Sequence, residues 1–295
     1  DGGGGGRAGP MACGSATTAL ANRARARLEG DGAAVDLFEL LWEKGISDNL
    51  SCDLRIPDTV LYQFSAPSVW YFTSVDGTIK RKKKDKVHGD RIYKEFVRKA
   101  SRSGIVAQYV SNVRGEAGDS GTRTTIQYLS ADGLHAFLFD PEVGRTDGIL
   151  QKFVHPRGDS NNMLRALWSP KVCLLERRVN CRSVHDSRYS LYERAVTFEG
   201  PEVHSEESPV LGSALVGCVQ RLAESVARHV ADVTGGGVAI SRLALNFKMD
   251  EKDKLWLMFA SSVRLRDELR AGAGPSALPR PGCVAAPLEA HLRLG

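Results

Sequence analysis

The sequence predicts an α+β protein, with a largely antiparallel, hairpin-rich sheet covered by one long helix and one or two shorter helices. Two observations predict this class. Several segments alternate apolar and polar residues with a period of two, and Asp-Gly pairs follow or separate some of them. Residues 210–233 instead carry apolar residues at helical spacing. The composition, 42% hydrophobic and 25% charged, is ordinary for a folded globular chain.

A first helix is predicted at Ala34–Lys44. Val35, Phe38 and Leu41 lie three residues apart, which places them on one helical face. Gly45 follows and is typical of a helix C-terminus.

The first hairpin is predicted after this helix. Val60–Ser65 and Val69–Val75 are rich in β-branched and aromatic residues, and Asp76-Gly77 is a strong signal for a tight turn. The returning strand is expected at Thr78–Lys84. Because this strand is very basic, we expect it at the edge of the sheet.

A second helix is predicted at Gly89–Ser101, followed by a second hairpin in which strands Thr124–Ser130 and Leu134–Phe139 flank Asp132-Gly133. Proline residues punctuate four further candidate strands. These are Ile149–His155, Leu164–Trp168, Val172–Val179 and Arg194–Glu199.

The long helix is predicted at Val210–Val233. Ser208 is a candidate N-cap, and Pro209 suits the first helical position. Gly235–Gly237 marks the end of the helix.

The last hairpin follows this helix. Four apolar residues, Leu243, Leu245, Phe247 and Met249, alternate with Ala244, Asn246 and Lys248. The face that carries the four apolar residues is therefore expected to be buried. The turn is expected at Asp250–Asp253. The return strand, Leu255–Phe259, is apolar on both faces and is therefore expected in the centre of its sheet.

The composition along the chain predicts three regions: a glycine-rich disordered N-terminus at residues 1–19, a single α+β domain at 20–270, and a Pro/Gly-rich disordered tail at 271–295. No segment approaches the roughly 18 apolar residues that a membrane span needs. The six cysteines form no C-x-x-C pair, which favours reduced cysteines in a cytoplasmic or nuclear protein.

The excess positive charge is concentrated in one run. Its cations are Lys80, Arg81, Lys82, Lys83, Lys84 and Lys86, with Asp85 between the last two. Together with Arg91 on the following helix, these residues are predicted to bind an anionic partner. Trp70, Tyr71 and Phe72 precede the run and are candidates for stacking on bases.

This run leads to our functional hypothesis, a non-enzymatic interaction or scaffold protein that docks on an acidic macromolecular surface. The first alternative is a nucleic-acid-binding module that uses the run and its aromatic neighbours. The second alternative is an enzyme of unrecognised type. A solvated strand edge and a nuclear import signal are further interpretations of the same run.

No motif for catalysis or metal binding is found in the sequence. It lacks H-E-x-x-H and G-x-S-x-G, and no two histidines stand four residues apart. Gly235–Gly237 follows a helix and precedes a strand, the reverse of the order in phosphate-binding loops. We therefore predict no catalytic residue, no metal ligand and no cofactor.

The last hairpin, at Leu245–Asp250 and Lys254–Phe259, resembles the closing strands of ATP-grasp ligases. In that family the last strand ends with a Glu and an Asn that hold magnesium. The matching residues here are Ala260, Ser261 and Ser262, which contain no carboxylate. We therefore do not adopt magnesium–nucleotide chemistry as the function.

A broader resemblance covers residues 55–265. Four stretches carry it: Lys84–Asp90, Leu150–Val154, Trp168–Pro170 and Tyr192–Gly200. They resemble a group of uncharacterised proteins from ciliated eukaryotes. The resemblance implies an association with cilia or flagella, where the acidic tails of tubulin would suit the basic run. It implies no catalytic residue.

Overall fold

The computed structural model describes residues 11–98, 102–114 and 122–266. In chain order the elements are α1 (Met11–Leu28), β1 (Gly30–Asp31), α2 (Leu37–Trp42), β2 (Thr59–Gln63), β3 (Ala66–Thr73), β4 (Ile79–Arg81), α3 (Gly89–Val97), β5 (Ala107–Arg114), β6 (Thr122–Leu129), α4 (Ala131–Phe139), β7 (Gly148–Lys152), β8 (Ser160–Ser169), β9 (Val172–Ser183), β10 (Ser205–Glu207), α5 (Ser213–Val233), β11 (Ile240–Met249) and β12 (Leu255–Leu265).

The strands form two six-stranded antiparallel sheets. The first, sheet A, has the order β1-β12-β11-β8-β9-β10. The second, sheet B, has the order β4-β3-β2-β7-β5-β6. The α+β class predicted from the sequence is thus confirmed, and the hairpins are divided between two sheets.

Helices cover both sheets. The apolar stripe of α5, which includes Val219, Val226 and Val230, is fully buried, and α5 packs on β8 and β11 of sheet A. In sheet B, Trp70 and Tyr62 belong to a separate apolar cluster that also contains residues of α3 and α4. A larger cluster joins residues of sheet A, sheet B, α1, α2 and α5. The amphipathic helices predicted from the sequence, α3 and α5, therefore bury their apolar faces against the sheets.

The first predicted hairpin is present, with β3 and β4 joined through Asp76 and Gly77. Gly77 has φ +89°, a conformation that glycine adopts without strain. The basic strand is shorter than predicted, because β4 ends at Arg81 and a 3₁₀ turn follows at Lys84–Lys86. As expected, this strand lies at the edge of its sheet.

The second predicted hairpin is wrong in its second half. Residues 131–139 form α4 and not a strand. Ser130 caps this helix, since its hydroxyl accepts a hydrogen bond from the Gly133 amide at 3.0 Å. Leu134 and Phe137, three residues apart, are buried on its inner face. The N-cap serine and this spacing outweigh the Asp-Gly turn signal.

Two other predicted boundaries differ from the structure. Arg194–Glu199 is not a strand, and the amide of Val196 bonds locally to the Tyr192 carbonyl at 2.9 Å. The long helix begins at Ser213, because Ser208 instead bonds to the Arg177 carbonyl of β9 at 2.9 Å. Ser208 is therefore not its N-cap, and Pro209 is not its first residue.

The chain ends differ in part from the predicted regions. The predicted boundary at residue 19 falls inside α1, and the predicted tail at 271–295 lies outside the described residues. Within the described residues, no helix is long and apolar enough to cross a membrane.

Candidate functional site

A cavity of about 270 Å³ lies between the two sheets, and we call it the inter-sheet cleft. Strand β6 of sheet B forms one wall, and β8 and β12 of sheet A contribute to the other. Its lining residues are mainly polar: Asp31, Gly32, Thr122, Arg123, Thr124, Arg165, Phe198, Glu199 and Ser261. Two arginines, two carboxylates and several hydroxyl groups therefore line this space.

Arg165 is the best-positioned side chain of the cleft. Its Nε donates to the Asn246 amide oxygen at 3.0 Å, and its guanidinium donates to Glu199 at 2.8 Å. The guanidinium also stacks on Phe198, 4.0 Å from the ring centre. Three contacts on different sides fix the orientation of this group, and its side chain keeps 22% exposure.

Glu199 is the buried partner of this pair, with only 3% of its side chain exposed. Burial raises the pKa of its carboxyl, and Arg165 partly opposes that shift. Among the described residues, its Oε2 atom has no hydrogen-bond partner, and the buried Tyr128 hydroxyl has none either. The Glu199 charge acts on Tyr128, whose pKa burial raises well above the ordinary value.

A β-bulge in β12 shapes the same wall. Leu245 pairs with Ala260 and Ala244 pairs with Ser262, so Ser261 is the extra residue between them. The Asn246 amide nitrogen donates to the Ser261 hydroxyl at 3.1 Å. The bulge thus links Ser261, through Asn246, to Arg165.

Lys248 lies two residues beyond Asn246 on β11 and is 1% exposed. Its Nζ is 3.8 Å from the centre of the Phe153 ring and has no hydrogen-bond partner among the described residues. Burial holds the pKa of this amine well below its ordinary value. The prediction that only the apolar face of β11 is buried is wrong, because Asn246 and Lys248 are buried too.

A second cavity, of about 410 Å³, lies beside Phe153, and we call it the Phe153 cavity. Its walls include Asp58, His155 and Trp256. Burial lowers the pKa of His155 to about 4. The Phe153 ring also contacts Tyr128, with 5.9 Å between ring centres. Phe153 therefore lies between Tyr128 and this cavity.

The basic run is elsewhere, around the edge strand β4. Lys80, Arg81, Lys83, Lys84, Lys86 and Arg91 are exposed, and Lys82 is half-buried. Several of them have local partners. Lys80 pairs with Asp76 at 2.9 Å, and the Arg81 guanidinium lies 3.9 Å from the centre of the Trp42 ring. Among the residues that the structure describes, none of the run lines the inter-sheet cleft.

The aromatic residues next to the run face the interior. Trp70 and Tyr71 are buried, and the Trp70 indole donates to Asp58 at 2.9 Å. Phe72 is half-buried, and the Lys82 amine lies 4.4 Å from its ring centre. Two of the three candidate stacking rings are therefore covered by the protein itself.

Sequence reasoning did not find Arg165, Glu199 or Lys248. Arg165 and Glu199 lie 34 residues apart, and nothing local marks them as partners. Lys248 did carry a signal, since it stands in a strand whose partner strand is apolar on both faces. A lysine in a strand of that kind is exceptional enough to indicate a buried amine.

No family model matches the chain, and no curated protein matches it. Similar solved structures include the macrocyclase MdnC of Microcystis aeruginosa bound with precursor peptide MdnA (9% identity, TM-score 0.37, covering 84% of this chain and 55% of that chain). D-alanyl-alanine synthetase A of Vibrio cholerae is another (11%, TM-score 0.36, 72% and 51%). A third is the Chryseobacterium gregarium ATP-grasp ligase in complex with ADP and peptides (8%, TM-score 0.34, 71% and 47%). The chain spans about half the length of these structures.

These findings correct the hypothesis drawn from the basic run. The similar structures are a macrocyclase, a synthetase and a ligase, with which the predicted non-enzymatic scaffold disagrees, and that prediction is withdrawn. The predicted partners, an acidic tubulin-like surface and nucleic acid, are overturned with it, as is the association with cilium and cytoskeleton. The anion-binding role of the basic run and Arg91 stays a prediction.

The cleft does not fit the magnesium ion that ATP-grasp ligases hold. Magnesium favours carboxylate oxygens, whereas the closing strands here present Asn246 and Ser261. Two carboxylates line the cleft, but Glu199 is bonded to Arg165, and Asp31 accepts from Ser262 and Arg264. Among the described residues, no group of three or more His, Cys, Asp or Glu side chains could hold a metal ion.

Proposed function

We propose that this chain binds a small anionic ligand in the inter-sheet cleft, with Arg165 as the main residue that contacts the anion. The observation that carries the proposal is the fixed orientation of a partly exposed guanidinium beside a cavity of about 270 Å³. Arginine presents several N–H donors in a planar fork that matches carboxylate and phosphate oxygens.

The neighbours of Arg165 support this role. Asn246 and Glu199 occupy one N–H group each, so further donors of the guanidinium stay available for a ligand. Arg123, Thr122 and Thr124 line the facing wall and add a second cation and two hydroxyl groups. A ligand that enters between the walls therefore meets donors from both sheets.

The groups without a partner support the same site. Buried polar atoms in proteins are nearly always paired, and each exception calls for an explanation. The Tyr128 hydroxyl and the Glu199 Oε2 atom are two such groups close to the cleft. A polar ligand in this space would provide partners that the protein itself does not.

The test is a binding measurement by isothermal titration calorimetry on the full chain. ADP, which one of the similar structures contains, is the phosphate probe, and D-alanine is the carboxylate probe. We expect saturable binding of one of them. Arg165→Met should weaken it by about 10- to 100-fold, the effect of removing charge-assisted hydrogen bonds.

Arg242→Met is the matched control, because Arg242 is an exposed arginine near the start of β11 and does not line the cleft. It should leave the affinity within about twofold, as expected for a surface substitution away from the site. Equal losses in the two variants would indicate non-specific attraction between charges, and the proposal would then be wrong. Absence of binding by both probes would also overturn it.

We also propose a cytoplasmic location. The described cysteines Cys52, Cys173, Cys181 and Cys218 are free, which supports a reducing compartment. Fractionation of cells that express the chain tests this: recovery in a secretory fraction would contradict it.

A further inference from the structure

The basic run contributes to a third cavity, of about 440 Å³, which we call the β4 pocket. A volume of this size is typical of sites for small molecules. The pocket is lined by four consecutive cations, one hydroxyl group and three apolar side chains: Arg81, Lys82, Lys83, Lys84, Ser68, Trp42, Val69 and Val87. None of these residues lines the inter-sheet cleft, so the pocket is a separate candidate site.

The early end of β4 opens this pocket and gathers the cations around it. Strand β3 pairs with β4 only at residues 71–73, so Ser68 and Val69 lie beyond the paired region. Strand β4 ends at Arg81, and the chain then turns at Lys84–Lys86, where the Val87 amide donates to the Lys84 carbonyl at 3.1 Å. The basic residues after β4 therefore border the space beside β3 instead of continuing along the sheet.

Aromatic rings hold two of the four cations in place. The Arg81 guanidinium lies 3.9 Å from the centre of the Trp42 ring. The Lys82 amine lies 4.4 Å from the ring centre of Phe72 and 4.9 Å from that of Trp70. Contacts between a cation and a ring face restrict the side chain, so less conformational freedom is lost when a ligand binds.

The cations of the pocket differ from the other cations of the run in their partners. Lys80 pairs with Asp76 at 2.9 Å, and Lys86 pairs with Asp85 at 3.4 Å. Over the part of the chain that the structure describes, none of the four pocket cations forms an ion pair. Their positive charge is therefore not balanced locally.

Three carboxylates lie near these cations, and none of them lines the pocket: Glu39, Glu43 and Asp58. Glu39 is bonded to Arg23 at 2.8 Å, and Asp58 accepts a hydrogen bond from the Trp70 indole at 2.9 Å. The charge of Glu43 interacts with Arg81, but within the described residues the two form no ion pair. The pocket thus keeps an excess of positive charge, which attracts an anion.

We propose that the β4 pocket binds a compact group that carries several phosphates, either as a free small molecule or as a lipid headgroup. Phosphate oxygens are strong acceptors for arginine and lysine donors, and several phosphates match several convergent cations. The apolar lining of Trp42, Val69 and Val87 suits the carbon framework of such a group. Trp70 and Tyr71 are buried, so the rings that would stack on the bases of a nucleic acid are not available.

The test is isothermal titration calorimetry of the full chain with inositol hexakisphosphate, at about 0.15 M salt, where exposed charges more than about 8 Å apart are largely screened. We expect saturable binding to one site. Lys83→Met/Lys84→Met should weaken it by about tenfold or more, because two charge-assisted contacts are lost. Both positions are exposed, so the fold should be kept, which circular dichroism checks.

Lys80→Met/Lys86→Met is the matched control. It removes the same charge from the same segment, but neither residue lines the pocket. It should leave the affinity within about threefold, the effect of exposed charges at a distance. Equal losses in the two double variants, or unchanged affinity in Lys83→Met/Lys84→Met, would show general attraction to the run, and the pocket would then not be a site.

Two further measurements identify the source of the phosphates and the place of binding. Co-sedimentation with phosphatidylcholine vesicles that contain phosphatidylinositol bisphosphate, lost only in Lys83→Met/Lys84→Met, would support the proposal with a lipid as the source. Binding of the soluble probe alone would support a free ligand. Arg165→Met should keep the affinity for inositol hexakisphosphate within about twofold, because Arg165 belongs to the other cavity. Loss of binding in Arg165→Met, or absence of binding by both the probe and the vesicles, would overturn the proposal and leave the proposed function of the inter-sheet cleft to its own test.

Discussion

The side chain of Gln151 on β7 donates a hydrogen bond to the main-chain carbonyl of Met258 on β12, at 2.7 Å, and so connects sheet B to sheet A. Met258 is an extra residue at a bulge, since Asn246 pairs with Phe259 and Phe247 pairs with Leu257. Its carbonyl is therefore free of the β11 ladder and available to a side chain. Gln151 is fully buried and also accepts from Gln108 at 3.1 Å.

We expect Gln151→Leu to lower the free energy of unfolding by about 2–3 kcal/mol, because a buried carbonyl left without its partner costs about 1–3 kcal/mol and the hydrogen bonds to Thr59 and Gln108 are lost as well. Urea denaturation followed by circular dichroism measures this. Gln127→Leu, at an exposed position of β6, is the matched control and should change stability by less than about 0.5 kcal/mol. Equal effects of the two substitutions would mean that Gln151 does not join the sheets.

Local chemistry accounts for the parts of the fold that the sequence predicted correctly. The Asp76-Gly77 turn and the stripe of α5 depend on residues close together in the chain, and both are present. The Asp132-Gly133 turn failed because Ser130 offers the backbone a helix cap that competes with it. The division into two sheets is set by pairings such as Val60 with Leu150, 90 residues apart, which periodicity alone does not encode.

The candidate site was missed for a related physical reason. Arg165, Glu199 and Asn246 come from three separate segments, and the Ser261 bulge gives no signal in the local pattern. The charge run at residues 80–86 was visible because it is contiguous. A contiguous run of charge is typical of a solvated surface, whereas the residues of the cleft come from strands and loops that are distant in the sequence.

The Arg165–Glu199 pair predicts a pH-dependent stability. Burial raises the pKa of Glu199, so the folded state holds this proton more tightly than the unfolded chain. The contribution of the group to stability is therefore greatest below the unfolded pKa of about 4.3, and it falls as the pH rises through the folded value. Removal of Arg165 raises the folded pKa further and extends the loss toward neutral pH.

We therefore expect Arg165→Met to be destabilised at pH 7 by about 2–4 kcal/mol, near the range for breaking a buried ion pair, and by less at pH 5. The double variant Arg165→Met/Glu199→Gln should recover part of the loss at pH 7, since no buried charge then lacks a partner. Urea midpoints at the two pH values check this. An Arg165→Met defect that is the same at both would show that the Glu199 carboxylate is not its cause.

The packing of α5 on sheet A gives a simpler prediction. Val226 is completely buried, so Val226→Asp places a carboxylate in the apolar core and should prevent cooperative folding. Glu224→Ala, on the exposed side of the same helix, should fold normally. Thermal unfolding followed by circular dichroism distinguishes them. A soluble Val226→Asp protein with a cooperative transition would contradict the placement of this helix.

Lys248 gives the sharpest stability prediction, because its amine is buried without a partner among the described residues. Replacement by methionine keeps an unbranched side chain that is one atom shorter and removes the polar group. We expect Lys248→Met to raise the free energy of unfolding at pH 7 by about 1–3 kcal/mol, the cost found for unpaired buried polar groups. Lys252→Met, in the exposed turn after β11, is the matched control and should leave stability nearly unchanged.

The direction of the pH dependence identifies the amine as the source. Burial lowers the folded pKa of Lys248, so the unfolded chain binds this proton more readily and the wild-type protein gains stability as the pH rises toward the unfolded value of about 10.4. The methionine variant lacks this gain, so its advantage should shrink as the pH rises toward the unfolded pKa. Urea denaturation across this range measures the difference directly. An advantage that is constant with pH would mean that Lys248 is equally protonated in the folded and unfolded chain, and burial would then not lower its pKa.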